Sequence, residues 1–161
     1  MPDFYQNRTS KNCESDYSAN RDVSLFPAGV SPSARGRSAG WAQIGDQPRH
    51  FYRSKWERNY ALYLEWLRQG GHIREWKPEP KTFWFEKIRR GVRSYLPDFL
   101  VVENDESEAF HEVKGWMDPK SKTKIARMGR YYPSVRLVVI GRKQYAAIRS
   151  KVAALVPGWE P

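Results

Sequence analysis

An aspartate, a glutamate and a lysine in the second half of this chain have types and spacing that could do chemistry. Asp98 follows Pro97, and Glu112 and Lys114 share a later short segment. Two carboxylates held close together repel each other unless a divalent cation sits between them. A lysine beside such a cation can orient or activate a water molecule. On a basic, aromatic-rich chain, this combination suggests metal-dependent hydrolysis of nucleic-acid phosphodiesters.

Neither of the two short patterns involved is informative by itself, because the chain contains each more than once. Pro-Asp-Phe occurs at 2–4 and 97–99, and Glu-x-Lys occurs at 75–77, 79–81 and 112–114. The block 97–114 combines both patterns on neighbouring predicted strands joined by a turn. A simpler interpretation, a solvated Glu–Lys pair beside an aspartate at the start of a strand, stays open.

Strand alternation indicates which of these side chains point the same way. In the second strand, Glu112 and Lys114 fall on one face and His111 on the other. We expect His111 behind the sheet, packed or bonded to backbone. Because Pro97 cannot donate to a strand ladder, it marks an edge or bend where Asp98 can turn toward its neighbours.

An amphipathic helix is predicted upstream, over Ser54–Gln69. Its apolar residues recur with the helical period at Trp56, Tyr60, Tyr63, Leu64 and Leu67. Ser54 and Glu57 fit a capping box, and Gly70-Gly71 supplies the end. The capping role explains Glu57 fully. The helix could also bring this carboxylate to the site as a further acidic ligand, and both interpretations stay open.

Short strands follow this helix, and two more helices surround the last strand. The predicted strands are His72–Lys77, Lys81–Ile88, Val92–Val102, Ala109–Lys114 and Val135–Ile140, with an acidic turn over 103–108. The later helices run from Asp118-Pro119 to Tyr131 and over Lys143–Leu155. The predicted fold class is therefore α/β (α+β), a mixed β-sheet flanked by helices in the order α-β-β-β-β-α-β-α.

Composition divides the chain into an extension and one domain. Residues 1–48 contain few aliphatic side chains to offset their ordering entropy, so we predict a disordered or flexible N-terminal extension before a domain over 49–161. The first 50 residues hold 6 basic and 5 acidic side chains, whereas the rest hold 22 and 13. Of the net charge of +10, +9 therefore lies in residues 51–161, which favours a nucleic-acid partner over a membrane.

Other classes of protein are disfavoured by what the sequence lacks. Cys13 is the single cysteine, which excludes a disulfide framework or a thiolate metal site. No His-x-x-x-His pattern supports a zinc hydrolase. The chain has neither an apolar run long enough to span a bilayer nor the layout of a secretory signal, so we expect a reducing, cytoplasmic setting.

Four segments taken in order resemble the PD-(D/E)xK nuclease superfamily, namely SKWERNYALYLEWL, YLPDFLV, FHEVKGW and PSVRLVVIG. Over about residues 50–145, the chain is most similar to phage and archaeal Holliday junction resolvases and phage endonuclease I-type enzymes. The resemblance implies a restriction-endonuclease-like core, and the cytoplasm of a bacterial or phage-infected cell as the setting.

The resemblance also implies a role for each residue of the site. Asp98 and Glu112 would hold Mg²⁺, with Mn²⁺ as a substitute, aided by the main-chain carbonyl of Val113. Lys114 would position or activate the attacking water, and Glu57 would be the acidic residue of the first helix. Since Mg²⁺ prefers oxygen ligands and retains waters, two or three carboxylates suffice.

Basic and aromatic side chains near the site suggest how DNA would be held. Nine basic residues flank it and form the predicted phosphate-binding surface: Lys55, Arg58, Arg89, Arg90, Arg93, Lys120, Lys122, Lys124 and Arg127. Trp76 and Trp84 are expected in the core. Trp116, directly after Gly115, is a candidate for stacking near the site.

Three functions remain open at this point. The resemblance favours a Mg²⁺-dependent, structure-selective endodeoxyribonuclease, a Holliday junction resolvase that cuts four-way DNA junctions symmetrically as a homodimer. A duplex-cutting enzyme of the restriction or repair type belongs to the same class. A non-catalytic nucleic-acid-binding module, with a structural acidic cluster, is the alternative from a different class.

Overall fold

The structure is a computed structural model that describes residues 39–161, and the predictions for residues 1–38 lie outside this range. Its strands are β1 (Gly40–Ala42), β2 (His50–Tyr52), β3 (Glu75–Pro78), β4 (Phe83–Trp84), β5 (Ser94–Tyr95), β6 (Phe99–Val102), β7 (Glu108–Val113) and β8 (Leu137–Ile140). Its helices are α1 (Lys55–Gln69), α2 (Pro119–Tyr131) and α3 (Arg142–Val152).

A central sheet has the spatial strand order β3-β6-β7-β8. The pairs β3–β6 and β6–β7 are antiparallel, and β7 pairs with β8 in parallel. A parallel pair needs a crossover connection, which α2 provides here. β1–β2 and β4–β5 form separate antiparallel ribbons. The predicted class, a mixed sheet flanked by helices, is therefore confirmed.

The two faces of the sheet carry separate cores. α1 and α3 cover one face, where Phe99 and Val113 belong to the same cluster as Tyr60 and Tyr145. α2 and the β4–β5 ribbon cover the other face, with a cluster of Phe83, Phe85, Tyr95, Phe110 and Met128. None of the helices within 39–161 combines the length and apolar character needed to cross a membrane.

Local signals define the ends of α1, as predicted. The Ser54 hydroxyl accepts a hydrogen bond from the Glu57 N–H at 3.1 Å. After Gly70, Gly71 has a φ of +69°, a conformation that glycine adopts without steric strain. α2 likewise begins as predicted, since Asp118 accepts a hydrogen bond from the N–H of Ser121 at 3.0 Å.

Two predicted strands are shorter than expected. Within Lys81–Ile88 only β4 is a strand, and Lys87 turns the chain with a φ of +65°. The predicted strand Val92–Val102 is interrupted between β5 and β6, where Pro97 has no N–H to donate. From α1 onward the order is therefore α-β-β-β-β-β-α-β-α, with five strands rather than four between the first two helices.

β1 and β2 form a hairpin that composition did not predict. Ile44, between the two strands, is 2% exposed and packs in the core beside α1. The Gln47 side chain donates to the Trp76 carbonyl at 2.7 Å. Composition places residues 39–48 in the N-terminal extension, but in this structure they contribute a strand and a core residue.

Candidate active site

The start of β6 and the end of β7 bring Asp98 and Glu112 opposite each other. Phe99 pairs with His111, and continuing this register by one residue matches Asp98 with Glu112. Asp98 Oδ2 accepts a hydrogen bond from the Val113 N–H at 2.7 Å. The two acidic residues are 5% and 3% exposed. The predicted juxtaposition of these carboxylates on neighbouring strands is confirmed.

Lys114 lies on the same side as Glu112, as alternation predicted. Its Nζ is 2.9 Å from Glu112 Oε1. Burial alone would lower the pKa of Lys114, but the carboxylates of Glu112 and Asp98 raise it above its ordinary value. Lys114 is therefore a charged hydrogen-bond donor at neutral pH.

Tyr95 holds the other oxygen of Glu112, which sequence patterns did not predict. Its hydroxyl donates to Glu112 Oε2 at 2.8 Å, from a ring buried in the second core. Burial and the neighbouring Glu112 charge raise the pKa of Tyr95, so the hydroxyl stays protonated. Nothing in the local sequence separates this residue from an ordinary core tyrosine.

The electrostatics of Asp98 distinguish the site from a simple ion pair. The pKa of Asp98 is raised to about 7, chiefly by burial and then by the Glu112 carboxylate. The Val113 N–H and Lys114 act in the opposite direction and do not cancel this. The negative charge here is thus incompletely compensated, which is the situation that a bound cation relieves.

Glu57 reaches the site from the first turn of α1. It is 4% exposed, and its Oε2 accepts the Arg53 N–H at 3.0 Å. Glu57 therefore has a capping-type bond, although to the residue before Ser54 rather than to Ser54 itself. Burial raises the pKa of Glu57 above its ordinary value. Because it lines a cavity of about 260 Å³ together with Asp98 and Lys114, its capping and site roles are compatible.

Arg53 connects carboxylates from three parts of the chain and was missed in the sequence. Its Nη2 lies 2.8 Å from Glu79 Oε1 and 3.4 Å from Asp98 Oδ1. Its Nε lies 4.0 Å from Glu57 Oε2. A single guanidinium thus supplies positive charge to three acidic groups.

Glu79 reaches this cluster through the pairing of β3 with β6. Its N–H donates to the Asp98 carbonyl at 2.9 Å, which extends the ladder one step beyond Pro78 and Phe99. Glu79 begins one of the three Glu-x-Lys patterns, but Pro80 interrupts it, and the sequence predicts no role in the site for Glu79. The register of β3 against β6 is the signal that would have found Glu79.

The residues that the resemblance assigns to Mg²⁺ fit a hard divalent cation by their chemistry. Asp98 and Glu112 supply buried oxygen donors, and the raised pKa of Asp98 reflects unmet negative charge. Mg²⁺ keeps several waters, so two carboxylates and the carbonyl of Val113 are a sufficient set. Within residues 39–161, no group of three or more His, Cys, Asp or Glu side chains stands ready to hold a metal. Glu57 would be the additional ligand rather than part of a ready-made cluster.

Seven of the nine predicted DNA-binding residues lie on α2 or in the turn between β4 and β5. Five of them are exposed: Arg89, Arg90, Arg93, Lys120 and Lys122. The Lys124 Nζ lies 5.9 Å from the centroid of the Tyr95 ring. Arg127 donates to the Val92 carbonyl and so ties this turn to α2.

The remaining two basic residues are engaged within the chain. Lys55 donates to the Pro161 carbonyl, and Arg58 forms an ion pair with Glu160. Asn59 also exchanges hydrogen bonds with the main chain of Glu160, at 2.8 and 3.0 Å. In this structure these two cations therefore serve the packing of residues 160–161 against α1.

His111 and Trp76 are buried where the sequence places them, and Trp84 is not. His111 lies behind the sheet as predicted, with Nδ1 2.8 Å from the Tyr60 hydroxyl, a side chain rather than backbone partner. Burial lowers the pKa of His111 to about 3, so the ring is neutral. Trp76 is buried as predicted, but Trp84 is 61% exposed and the prediction that it belongs to the core is wrong. Trp116 is 74% exposed and lines the cavity of the site.

Comparison of the chain with models of known protein families gives no match, and comparison with curated proteins gives none either. The chemical interpretation of this region therefore depends on its residues and their geometry.

Proposed function

We propose that this protein is a Mg²⁺-dependent endodeoxyribonuclease with a restriction-endonuclease-like core, acting on branched DNA as a Holliday junction resolvase. The observation that carries the proposal is the pairing of buried Asp98 and Glu112 with a charged Lys114 at one end of the sheet. A stabilising ion pair alone would need one carboxylate. A second one, with its pKa raised to about 7, suggests a site for a cation.

Asp98, Glu112 and the Val113 carbonyl would hold Mg²⁺, and Glu57 would add an oxygen donor from the cavity wall. When bound, the metal lowers the pKa of a coordinated water and neutralises charge on the phosphate. Tyr95 would keep Glu112 in the orientation needed for binding, because its hydroxyl already fixes one carboxylate oxygen at 2.8 Å.

Lys114 would act on the phosphate and the attacking water. Its ammonium group is charged, so it donates hydrogen bonds and stabilises the negative charge that develops on the phosphate oxygens. It also orients the water for in-line attack on phosphorus. The reaction would proceed without a covalent enzyme intermediate, since no nucleophilic side chain is required.

Exposed basic residues support DNA as the substrate. Arg89, Arg90 and Arg93 in the β4–β5 turn, with Lys120 and Lys122 on α2, are exposed on the α2 side of the sheet. Side chains of this kind contact phosphates and give affinity that falls with salt. Symmetric cutting of a four-way junction requires a homodimer, which is part of the proposal.

A cleavage assay on four labelled DNAs tests the proposal. A four-way junction, a flap, a linear duplex and a single strand are each incubated with the protein and Mg²⁺. We expect cleavage of the junction in Mg²⁺ and none in a chelator, with activity lost in Asp98→Asn and Lys114→Ala. Preferential cutting of the linear duplex would favour the restriction or repair type of enzyme.

The chain offers a matched control for the lysine. Lys77 belongs to another Glu-x-Lys pattern, and its Nζ is 3.1 Å from Glu75 Oε1 in an exposed pair. We expect Lys77→Ala to cleave at the wild-type rate. Wild-type protein that binds every substrate and cuts none would overturn the enzyme proposal and favour the non-catalytic binding module.

A further inference from the structure

Trp116 presents its indole ring to solvent beside the candidate active site. The residue is 74% exposed, yet it lines the same cavity as Glu57, Asp98 and Lys114. A tryptophan in this setting leaves most of a large apolar and aromatic surface open to solvent. Such surfaces beside a site are typical of ligand-contacting positions.

Stacked aromatic rings support the main chain that carries Trp116. A Cβ added to Gly115 would lie 3.6 Å from the Trp56 ring, so the backbone at Gly115 is close to that ring. Trp56 in turn stacks on Tyr145 of α3, with ring centroids 4.0 Å apart and an interplanar angle of 1°. The segment 114–116 is therefore fixed relative to both α1 and α3.

Arg142 holds the same segment through a second contact. Its Nε donates to the Gly115 carbonyl at 2.9 Å. Its guanidinium carbon lies 6.0 Å from the centroid of the Trp116 ring, at the outer limit of a cation–π contact. An exposed aromatic ring with a cation beside it suits a nucleotide, because the ring can stack on the base and the cation can contact the phosphate.

Lys114 and Trp116 are two residues apart in the chain and line the same cavity. A base in contact with Trp116 would therefore belong to a nucleotide near the phosphate that Lys114 contacts.

We propose that Trp116 and Arg142 form a stacking platform for an unpaired nucleobase adjacent to the cleaved phosphate. In an intact duplex the faces of each base are covered by its neighbours, so a base must be unpaired or displaced to reach the platform. This inference rests on the proposed nuclease function and specifies its substrate class, namely DNA with an unstacked base at the cut site, such as a branch point.

Equilibrium binding with a fluorescent base analogue tests the platform. The analogue 2-aminopurine, whose emission falls when it stacks, is placed in turn at each position around the branch point of a four-way junction. Asp98→Asn protein is used so that the DNA stays intact. We expect a change in emission at one position, absent in Asp98→Asn/Trp116→Leu and retained in Asp98→Asn/Trp116→Phe, because leucine has no aromatic face.

Affinity gives an independent readout. Trp116→Leu should weaken junction binding roughly 5- to 150-fold, the range expected for loss of one stacked base, and leave duplex binding within about twofold. Trp84→Ala is the matched control, since Trp84 is 61% exposed but is not among the residues around the cavity. Thermal unfolding of every variant should match the parent protein, since both rings are exposed.

Two results would overturn the platform: equal weakening of junction and duplex binding by Trp116→Leu, or no analogue position that responds. Both measurements are of binding. A wild-type protein that stacks the base but does not cleave would therefore contradict only the nuclease proposal. Cleavage without stacking would contradict only the platform.

Discussion

The two ends of α1 each bury a glutamate, and the surroundings of these two residues differ. Glu65, near the end of the helix, is 6% exposed and accepts hydrogen bonds from Arg68, Gln69 and the Trp76 indole at 2.8 to 3.0 Å. Burial would raise the pKa of Glu65, but these donors lower it below its ordinary value. Its charge is satisfied within the fold.

Glu57, at the start of the same helix, is buried to a similar extent with the opposite electrostatic result. Burial raises the pKa of Glu57, and that of neighbouring Asp98 is raised to about 7. A buried carboxylate with a full set of donors stabilises the fold, whereas one without them is suited to bind a ligand. Counting donors thus distinguishes a carboxylate that the fold satisfies from one that is left available for a ligand, where burial does not.

The largest expected effect is the loss of cleavage when a residue of the candidate active site is replaced. Asp98→Asn and Lys114→Ala should each lower the rate of Mg²⁺-dependent junction cleavage by about 10³-fold or more, because the first weakens binding of the metal and the second removes the positive charge beside the reacting phosphate. Initial rates at saturating DNA, with circular dichroism to confirm folding, measure this. A folded Asp98→Asn protein with wild-type activity would contradict the assignment of the site.

Replacing Glu65, whose charge is satisfied within the fold, should instead lower the stability of the protein. Glu65→Ala leaves the Trp76 indole N–H without its partner, which should lower the free energy of unfolding by about 2–3 kcal/mol. Urea denaturation measures the loss. Well below the melting temperature, the cleavage rate of this variant should stay within about twofold of wild type; a hundredfold decrease would show that the two ends of α1 are not separable.

Glu112 lies between these two cases, since Tyr95 and Lys114 both donate to it. Tyr95→Phe should therefore have a smaller effect than Asp98→Asn or Lys114→Ala. Removing the 2.8 Å hydrogen bond to Glu112 Oε2 should raise the Mg²⁺ concentration for half-maximal cleavage about tenfold, because the carboxylate is less firmly oriented. A Mg²⁺ titration measures it. Tyr132→Phe, which removes a hydroxyl bonded to the Trp84 carbonyl, is the control and should leave the midpoint unchanged.

The smallest expected effect is in the pH dependence of stability, to which Glu65 and Asp98 contribute with opposite sign. The folded pKa of Glu65 is lowered, so its contribution is present above the unfolded value of 4.5 and is lost as pH falls through the folded value. The pKa of Asp98 is raised from 3.8 to about 7, so its contribution is present below 3.8 and is lost as pH rises through 7.

Urea denaturation without metal measures both contributions. Between pH 6 and 3, wild type should lose more stability than Glu65→Gln, because only wild type has the carboxylate whose pKa is lowered by folding. Between pH 5 and 8, it should also lose more stability than Asp98→Asn, because the folded pKa of Asp98, about 7, lies within this interval. Equal pH profiles for wild type and Asp98→Asn would show that folding does not raise the pKa of Asp98.

Features with local causes were predictable from the sequence. Ser54 and Asp118 cap their helices with their own side chains, and Gly71 ends α1 with a positive φ. The shared face of Glu112 and Lys114 follows from strand alternation. These features depend on a few neighbouring residues, so the prediction did not require the tertiary fold.

Features that depend on distant pairing were not predictable. Arg53 and Glu79 join the site because β3 lies beside β6, which no local pattern specifies. The outward direction of Trp84 depends on which side of the β4–β5 ribbon faces α2. β1 and β2 are three residues each, too short for periodicity to appear.

The β6–β7 hairpin has a consequence for the order in which the site is expected to fold. Asp98 and Glu112 are brought together by two consecutive strands, and contacts of such short sequence separation form early. The Lys114 N–H instead donates to the Ile140 carbonyl at 3.0 Å, so the lysine is fixed only after the chain has crossed over through α2. We therefore expect the two acidic residues to meet during early hairpin formation, and the lysine that offsets their repulsion to be fixed later.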